Sequence, residues 1–141
     1  MSEADDTLEA IRRKKRDELQ QKTSGEQTDD TPAEAPNEPI YIDSPDHLQQ
    51  VTSQYDVVLT DFYADWCGPC KMLEPIVEDL AKETDAAMAK VDVDTQQALA
   101  QQHRVQGVPT MVLFAQGEMT EQIVGVRDKD SLKQLIERHQ R

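Results

Sequence analysis

The sequence predicts an α/β domain in which a mixed sheet carries helices on both faces, its elements running in the order βαβαβαββα. Three observations lead there. From Ile40 onward, short apolar runs alternate with segments of helical period. One of those runs, Val57–Val58–Leu59 followed by Phe62, is apolar without alternation, as a central strand covered on both faces requires. Two more apolar runs flank Gln116–Gly117 and read as a terminal β-hairpin.

Each element has a local reason. Ile40–Ile42 is a short first strand. Ser44, Pro45 and Asp46 are an N-cap, a first-position proline and a first-turn acid, opening a helix that carries Leu48 and Val51. After the apolar strand, a long helix runs from about Cys67 to Glu83, with Leu73, Ile76, Val77 and Leu80 at helical spacing and Pro75 expected to kink it. Ala87, Ala89, Val91 and Val93 form a third strand, and Gln96–His103 a short helix. Met111–Phe114 and Met119–Val124 make the hairpin, and Asp128 starts a last helix bearing Leu132, Leu135 and Ile136. His103 and Met111 read as structural residues.

Ahead of Ile40 the composition changes. Residues 1–39 hold 11 acidic and 6 basic side chains, net −5, and no aromatic residue; residues 40–141 hold 17 and 9, net −8. With Met1, Leu8, Ile11 and Leu19 as its only large apolar residues, the first segment cannot bury enough surface to offset its ordering entropy. Residues 23–39, rich in Pro, Thr and acid, read as a solvated linker. The expected organisation is a tail over residues 1–39 and one compact domain over residues 40–141. Within the tail, residues 5–21 place Leu8, Ile11 and Leu19 near one helical stripe beside the basic block Arg12–Arg16. A fraying helix fits that pattern, and so does a docking or nucleic-acid arm. The stretch LEAIRRKKRDELQ resembles the leading helix of small archaeal DNA-binding proteins related to the programmed-cell-death-five family.

Composition also excludes whole classes. A formal charge of −13 opposes broad contact with phosphate backbones or an anionic bilayer, so nucleic acid and membrane are not expected partners. No run of 18 apolar residues offers a transmembrane helix. The first 30 residues lack the apolar stretch of a secretory signal, which predicts a cytoplasmic protein. Two cysteines cannot scaffold a small secreted fold, but they can form one redox pair or half a metal site.

Cys67–Gly68–Pro69–Cys70 follows the apolar strand and opens the long helix. Unpaired N–H groups and the positive dipole end stabilise a thiolate there, making Cys67 the expected nucleophile. Cys70 lies one turn on, on the same face, near enough to close a disulfide. The reading places Cys67 at the exposed opening and Cys70 deeper. Gly68 lets another backbone approach, and Pro69 stiffens the first turn. The alternative, a zinc half-site, needs four ligands; no second cysteine pair exists, and His47, His103 and His139 have no paired spacing, so no metal is expected. Asp61, within VVLTDFYA, reads as a buried acid of raised pKa or else as a solvent-facing strand acid. Read from the residues alone, Lys90 could equally be a snorkelling surface lysine.

At DFYADWCGPCK the chain resembles the thioredoxin family. The resemblance extends over residues 40–141, through Pro75 and the later VPT and GEM…VG segments. It implies a thioredoxin fold and a protein-disulfide reductase acting by thiol–disulfide exchange. Asp61 would relay a proton to and from Cys70, with Lys90 as its partner. Trp66, Gly68 and Pro69 would form the active-site surface, and Pro109 would be a cis-proline facing the disulfide. Val93, Gly107, Val108 and Gly125 would line the groove for an extended client segment. No bound cofactor is implied, and the protein is expected to be a monomer. A flavin-dependent thioredoxin reductase and disulfide-containing client proteins are the implied partners. Tyr63 stands where well-known members have a tryptophan, a change expected to matter little. Gln106 and Val126 also depart from frequent choices, and could shift client preference.

The intact set Cys67, Cys70, Asp61 and Pro109 argues against the rival reading, an adaptor whose basic tail does the binding. A net oxidant or isomerase is a second rival, and Gly68–Pro69 favours a reductant. The excess of acid over lysine resembles proteins of salt-accumulating archaea, a halophilic expectation.

Overall fold

The computed structural model describes residues 34–140. The helix expected over residues 5–21 and the basic block lie outside them. Residues 34–39 form no helix or strand, yet Ala35 packs against a core cluster. The elements that follow are β1 (Ile40–Tyr41), α1 (Pro45–Gln54), β2 (Val57–Tyr63), α2 (Gly68–Glu83), β3 (Ala87–Asp92), α3 (Gln97–Gln102), β4 (Thr110–Ala115), β5 (Glu118–Val124) and α4 (Lys129–His139). Their order matches the expected one.

The five strands form one sheet in the order β1-β3-β2-β4-β5. The first three are mutually parallel, and β4 and β5 run antiparallel to their neighbours. β2 therefore sits at the centre, and its first six residues are buried without alternation. Successive side chains still go to opposite faces. Val57 and Leu59 pack with Leu73, Val77 and Leu80 of α2 and Leu132 and Ile136 of α4. Val58 and Phe62 pack on the other face with Leu48 and Val51 of α1 and Leu99 of α3. Each such fully buried Leu or Phe contributes about 2 kcal/mol. Asp61, two residues beyond Leu59, thus belongs to the face under α2.

The ends follow their local chemistry. Ser44 Oγ accepts from the His47 N–H at 3.0 Å, and Asp128 accepts from the Ser131 N–H at 3.0 Å, capping α1 and α4. Pro75 lies inside α2. Two expected strand ends fall just outside the strands but keep pairing: the Ile42 N–H donates to the Lys90 carbonyl, and the Val93 N–H to that of Tyr63, both at 2.9 Å. In the hairpin turn Gln116 and Gly117 have φ of 52° and 83°, the left-handed pair that a two-residue hairpin needs. Gln116 tolerates this because it is anchored: its N–H donates to the Asp56 carbonyl at 2.8 Å and its Nε2 to Asp56 Oδ1 at 2.6 Å. His103 packs between the rings of Phe62 and Phe114, with centroids 5.7 and 5.6 Å away; burial lowers its pKa.

Candidate active site

Cys67 is the N-cap of α2, and Cys70 ends its first turn. The two are joined in a disulfide with Cα atoms 5.3 Å apart. The Cys70 N–H donates to Cys67 Sγ at 3.1 Å, so an otherwise unpaired first-turn donor points at the sulfur. Gly68 and Pro69 are exposed at the helix start, with open space where a Gly68 Cβ would be. The expected difference in depth between the cysteines is corrected here: both are buried, at 4% exposure each. Tyr63, Val93 and Val108 pack against the cluster that the pair forms with Ala64.

Lys90, which lines one cleft with Cys70, belongs to a row of side chains that sheet register builds. Tyr41 of β1 lies opposite Lys90 of β3, Lys90 opposite Asp61 of β2, and Asp61 opposite Met111 of β4. Asp61 is 1% exposed and Lys90 4%, which removes both the solvent-facing and the snorkelling readings. Lys90 Nζ stands 4.0 Å from Asp61 Oδ2. At that length the pair is an ion pair without a hydrogen bond, and neither Asp61 oxygen has a hydrogen-bond partner among the described residues. Burial therefore dominates: it pushes the Asp61 pKa up to about 6, against the pull of Lys90 and with a further push from Glu74.

Lys90 has more company than the sequence suggested. Its Nζ lies 3.8 Å from Glu74 Oε1, 4.5 Å from the Tyr63 ring centroid and 5.8 Å from that of Tyr41. Tyr63, expected to be a change of little weight, is a wall of the lysine site. Burial first, then Asp92, pushes its pKa up to about 12, which keeps the phenol protonated. These residues line a cleft of about 190 Å³ with Ala64, Asp65, Cys70 and Lys71. Glu74 was missed, although one signal was available: it lies four residues after Cys70, on the same helix face.

Of the residues expected to line a client groove, Val93 and Val108 pack against the cysteine cluster. Pro109 is buried and follows a cis peptide from Val108, which, like Val93, packs on the cysteines. The Gly125 N–H donates to the Pro109 carbonyl at 2.9 Å, and Gly125 adopts φ 90°. Gly125 thus holds the Pro109 turn, and that N–H is already engaged. The Gly107 carbonyl likewise accepts from Thr110 Oγ1 at 2.6 Å. Trp66 is 71% exposed, and its indole donates to Asp94 Oδ2 at 3.0 Å, a partner that reading the sequence did not find.

A cystine opening a helix, with a buried Asp–Lys pair in a mixed sheet whose lysine shares a cleft with Cys70, defines a thiol–disulfide oxidoreductase of thioredoxin fold. The comparisons agree. The Thioredoxin family profile matches residues 39–138. The chain is 49% identical over 85 residues to a thioredoxin of Chlamydia trachomatis, covering 60% of this chain and 83% of the relative. It is 42% identical to a thioredoxin of Staphylococcus saprophyticus, covering 61% and 85%. Among solved structures, the N21Q mutant thioredoxin from Halobacterium salinarum aligns at TM-score 0.75 and 59% identity, covering 77% and 96%. The chain belongs to the thioredoxin family. It is a protein-disulfide reductase that works through a redox-active cysteine pair.

Proposed function

We propose that Cys67 attacks and Cys70 resolves, with Asp61 and Lys90 handling the proton. In the reduced protein the Cys67 thiolate attacks one sulfur of a client disulfide. That S–S bond breaks, the other client sulfur leaves as a thiolate, and a mixed disulfide forms. Cys70 then gives its proton to Asp61 and attacks the Cys67 sulfur. The mixed disulfide breaks, the second client thiolate leaves and takes up a proton, and the Cys67–Cys70 disulfide closes. Two electrons pass to the client. The observation that carries this reading is the cystine at the start of α2 with a buried acid of raised pKa in β2, the strand that precedes it.

Clients are read at Trp66, Gly68 and Pro69 and along Val93, Gly107, Val108, Pro109 and Gly125. The pair itself is the redox group, with no cofactor; the domain acts as a monomer, and a flavin-dependent thioredoxin reductase restores the dithiol. We place the protein in the cytoplasm of a salt-accumulating cell, supported by the charge of −13 and by likeness to the Halobacterium structure. No described helix is long and apolar enough to cross a membrane. Residues 1–39 are proposed to be a tail that turnover does not need, so a chain beginning at Glu34, which keeps Ala35, should retain it. A tenfold loss would overturn that.

The reading is tested by equilibrating the full chain with glutathione or dithiothreitol buffers and measuring its reduction potential. A value at or below about −220 mV is expected of a reductant, whereas one near about −120 mV would mark an oxidant. Retention on nucleic acid by the full chain, together with no dithiol-driven disulfide reduction, would favour the adaptor reading.

A further inference from the structure

Lys90 is a single buried cation set between two carboxylates of unlike exposure. Asp61, at 4.0 Å, is 1% exposed, and Glu74, at 3.8 Å, has a side chain 47% exposed at the surface of α2. We propose that Glu74 is a positioning residue that competes with Asp61 for Lys90, so that the proton affinity of the buried acid, and with it the Cys70 step, responds to ionic strength. The inference rests on the reading of Asp61 as the proton acceptor and adds to it an external control.

The ionisable groups around Asp61 among the described residues come from several elements. Lys90 comes from β3, Glu74 from α2, Tyr41 from β1 and Tyr63 from β2, while β4 presents Met111. Asp65 and Lys71 line the same cleft, and Glu78 acts on Tyr41. Only Lys90 and Glu74 act strongly enough to count with burial in setting the Asp61 proton affinity. The negative charge of Glu74 acts twice in one direction. It repels the Asp61 carboxylate directly, and it draws on the lysine charge that would stabilise that carboxylate. Salt reaches the two pairs unequally: a half-exposed pair is screened, and a buried one much less. Molar salt should therefore weaken the pull of Glu74 and leave more of Lys90 to Asp61.

The test follows the Asp61 carboxyl resonance by NMR titration in the full oxidised chain, where catalysis plays no part. Glu74→Gln should lower its midpoint by about half a unit, the worth of a partly exposed ion pair expressed as a pKa shift. Glu74→Lys should lower it further. In wild type the midpoint should fall between dilute buffer and 1 M KCl, while in Glu74→Gln it should stay nearly constant. An unchanged midpoint in both variants, or equal salt dependence in wild type and Glu74→Gln, would overturn the proposal. If instead Asp61→Asn leaves the reductase rate unaltered while Glu74→Gln shifts the midpoint, the competition stands and the proton-acceptor reading fails.

Discussion

The Cys70 N–H donates to Cys67 Sγ at 3.1 Å, so the residue proposed to resolve the mixed disulfide also solvates the sulfur proposed to start it. The interaction is one-directional. It favours negative charge on Cys67, at the positive end of a 16-residue helix, and gives Cys70 no equivalent donor.

The two serine variants should therefore fail differently, although both cysteines are equally buried. Cys70→Ser keeps the backbone donor and should still attack, then stall with the client bonded to Cys67. Incubated with a disulfide client, it should accumulate a reducible adduct, whereas Cys67→Ser should form almost none. Adducts found mainly through Cys70 would reverse the assignment.

Asp61→Asn should slow resolution and stabilise the fold at once. The native Asp61 pKa of about 6 lies above the ordinary carboxyl value of 3.8, so the native state holds the proton more tightly than the unfolded chain. The sign follows: stability is full below the unfolded value and is lost as pH rises through about 6. The loss is about 3 kcal/mol for a shift of this size. A neutral isostere escapes it but leaves Lys90 without its buried partner. Urea titrations should show Asp61→Asn more stable by about 2 kcal/mol at pH 7, with no gain below pH 4. Resolution of the mixed disulfide should slow by about a hundredfold or more at pH 7, the lower end of what a general base contributes. A variant that is less stable at pH 7, or as fast as wild type, would contradict this account.

Much of this was legible in the sequence because local chemistry agreed with the fold. Ser44–Pro45–Asp46, the unalternating β2 run and Gln116–Gly117 each determined an element whose burial or capping then matched. The relations that were not legible come from register. Nothing local states that Tyr41, Lys90, Asp61 and Met111 form one row, since parallel pairing of β1, β3 and β2 across long connections sets it. Glu74 and Asp94 were missed for the same reason, each meeting a partner from a distant element. The equal burial of Cys67 and Cys70 likewise depends on Val93 and Val108, which arrive from two other loops.

The Trp66–Asp94 bond should matter for clients and not for chemistry. An exposed indole held at 3.0 Å offers a ring whose orientation is already fixed, which lowers the ordering cost of docking. Asp94→Ala removes the acceptor and should raise KM for a protein client roughly fivefold, about the worth of one hydrogen bond. The kcat for a small disulfide should stay unchanged, and Asp94→Asn, which keeps a carbonyl acceptor, should recover most of the loss. Equal effects on protein and small substrates would place Asp94 elsewhere in the mechanism.

Salt should stabilise the protein, although two opposed effects are present. Screening weakens the attraction of Lys129 for Glu83 and Asp79 and of Lys133 for Glu83, which join α2 and α4 at 2.8, 3.8 and 3.7 Å. It also weakens the mutual repulsion of the acidic side chains, which number 17 against 9 basic ones over residues 40–141. The ion pairs are few and on the surface, where such contacts contribute little. The repulsion is summed over the net charge of −8 that residues 40–141 carry and grows when that domain is compact. At 1 M salt the Debye length is about 3 Å, short enough to suppress most of that repulsion while adjacent charges still interact. Repulsion should therefore decide the sign. Thermal unfolding followed by circular dichroism should give a Tm that rises steadily from dilute buffer to molar KCl. A Tm that falls over that range would mean the α2–α4 pairs outweigh the net charge, and the halophilic reading would go with it.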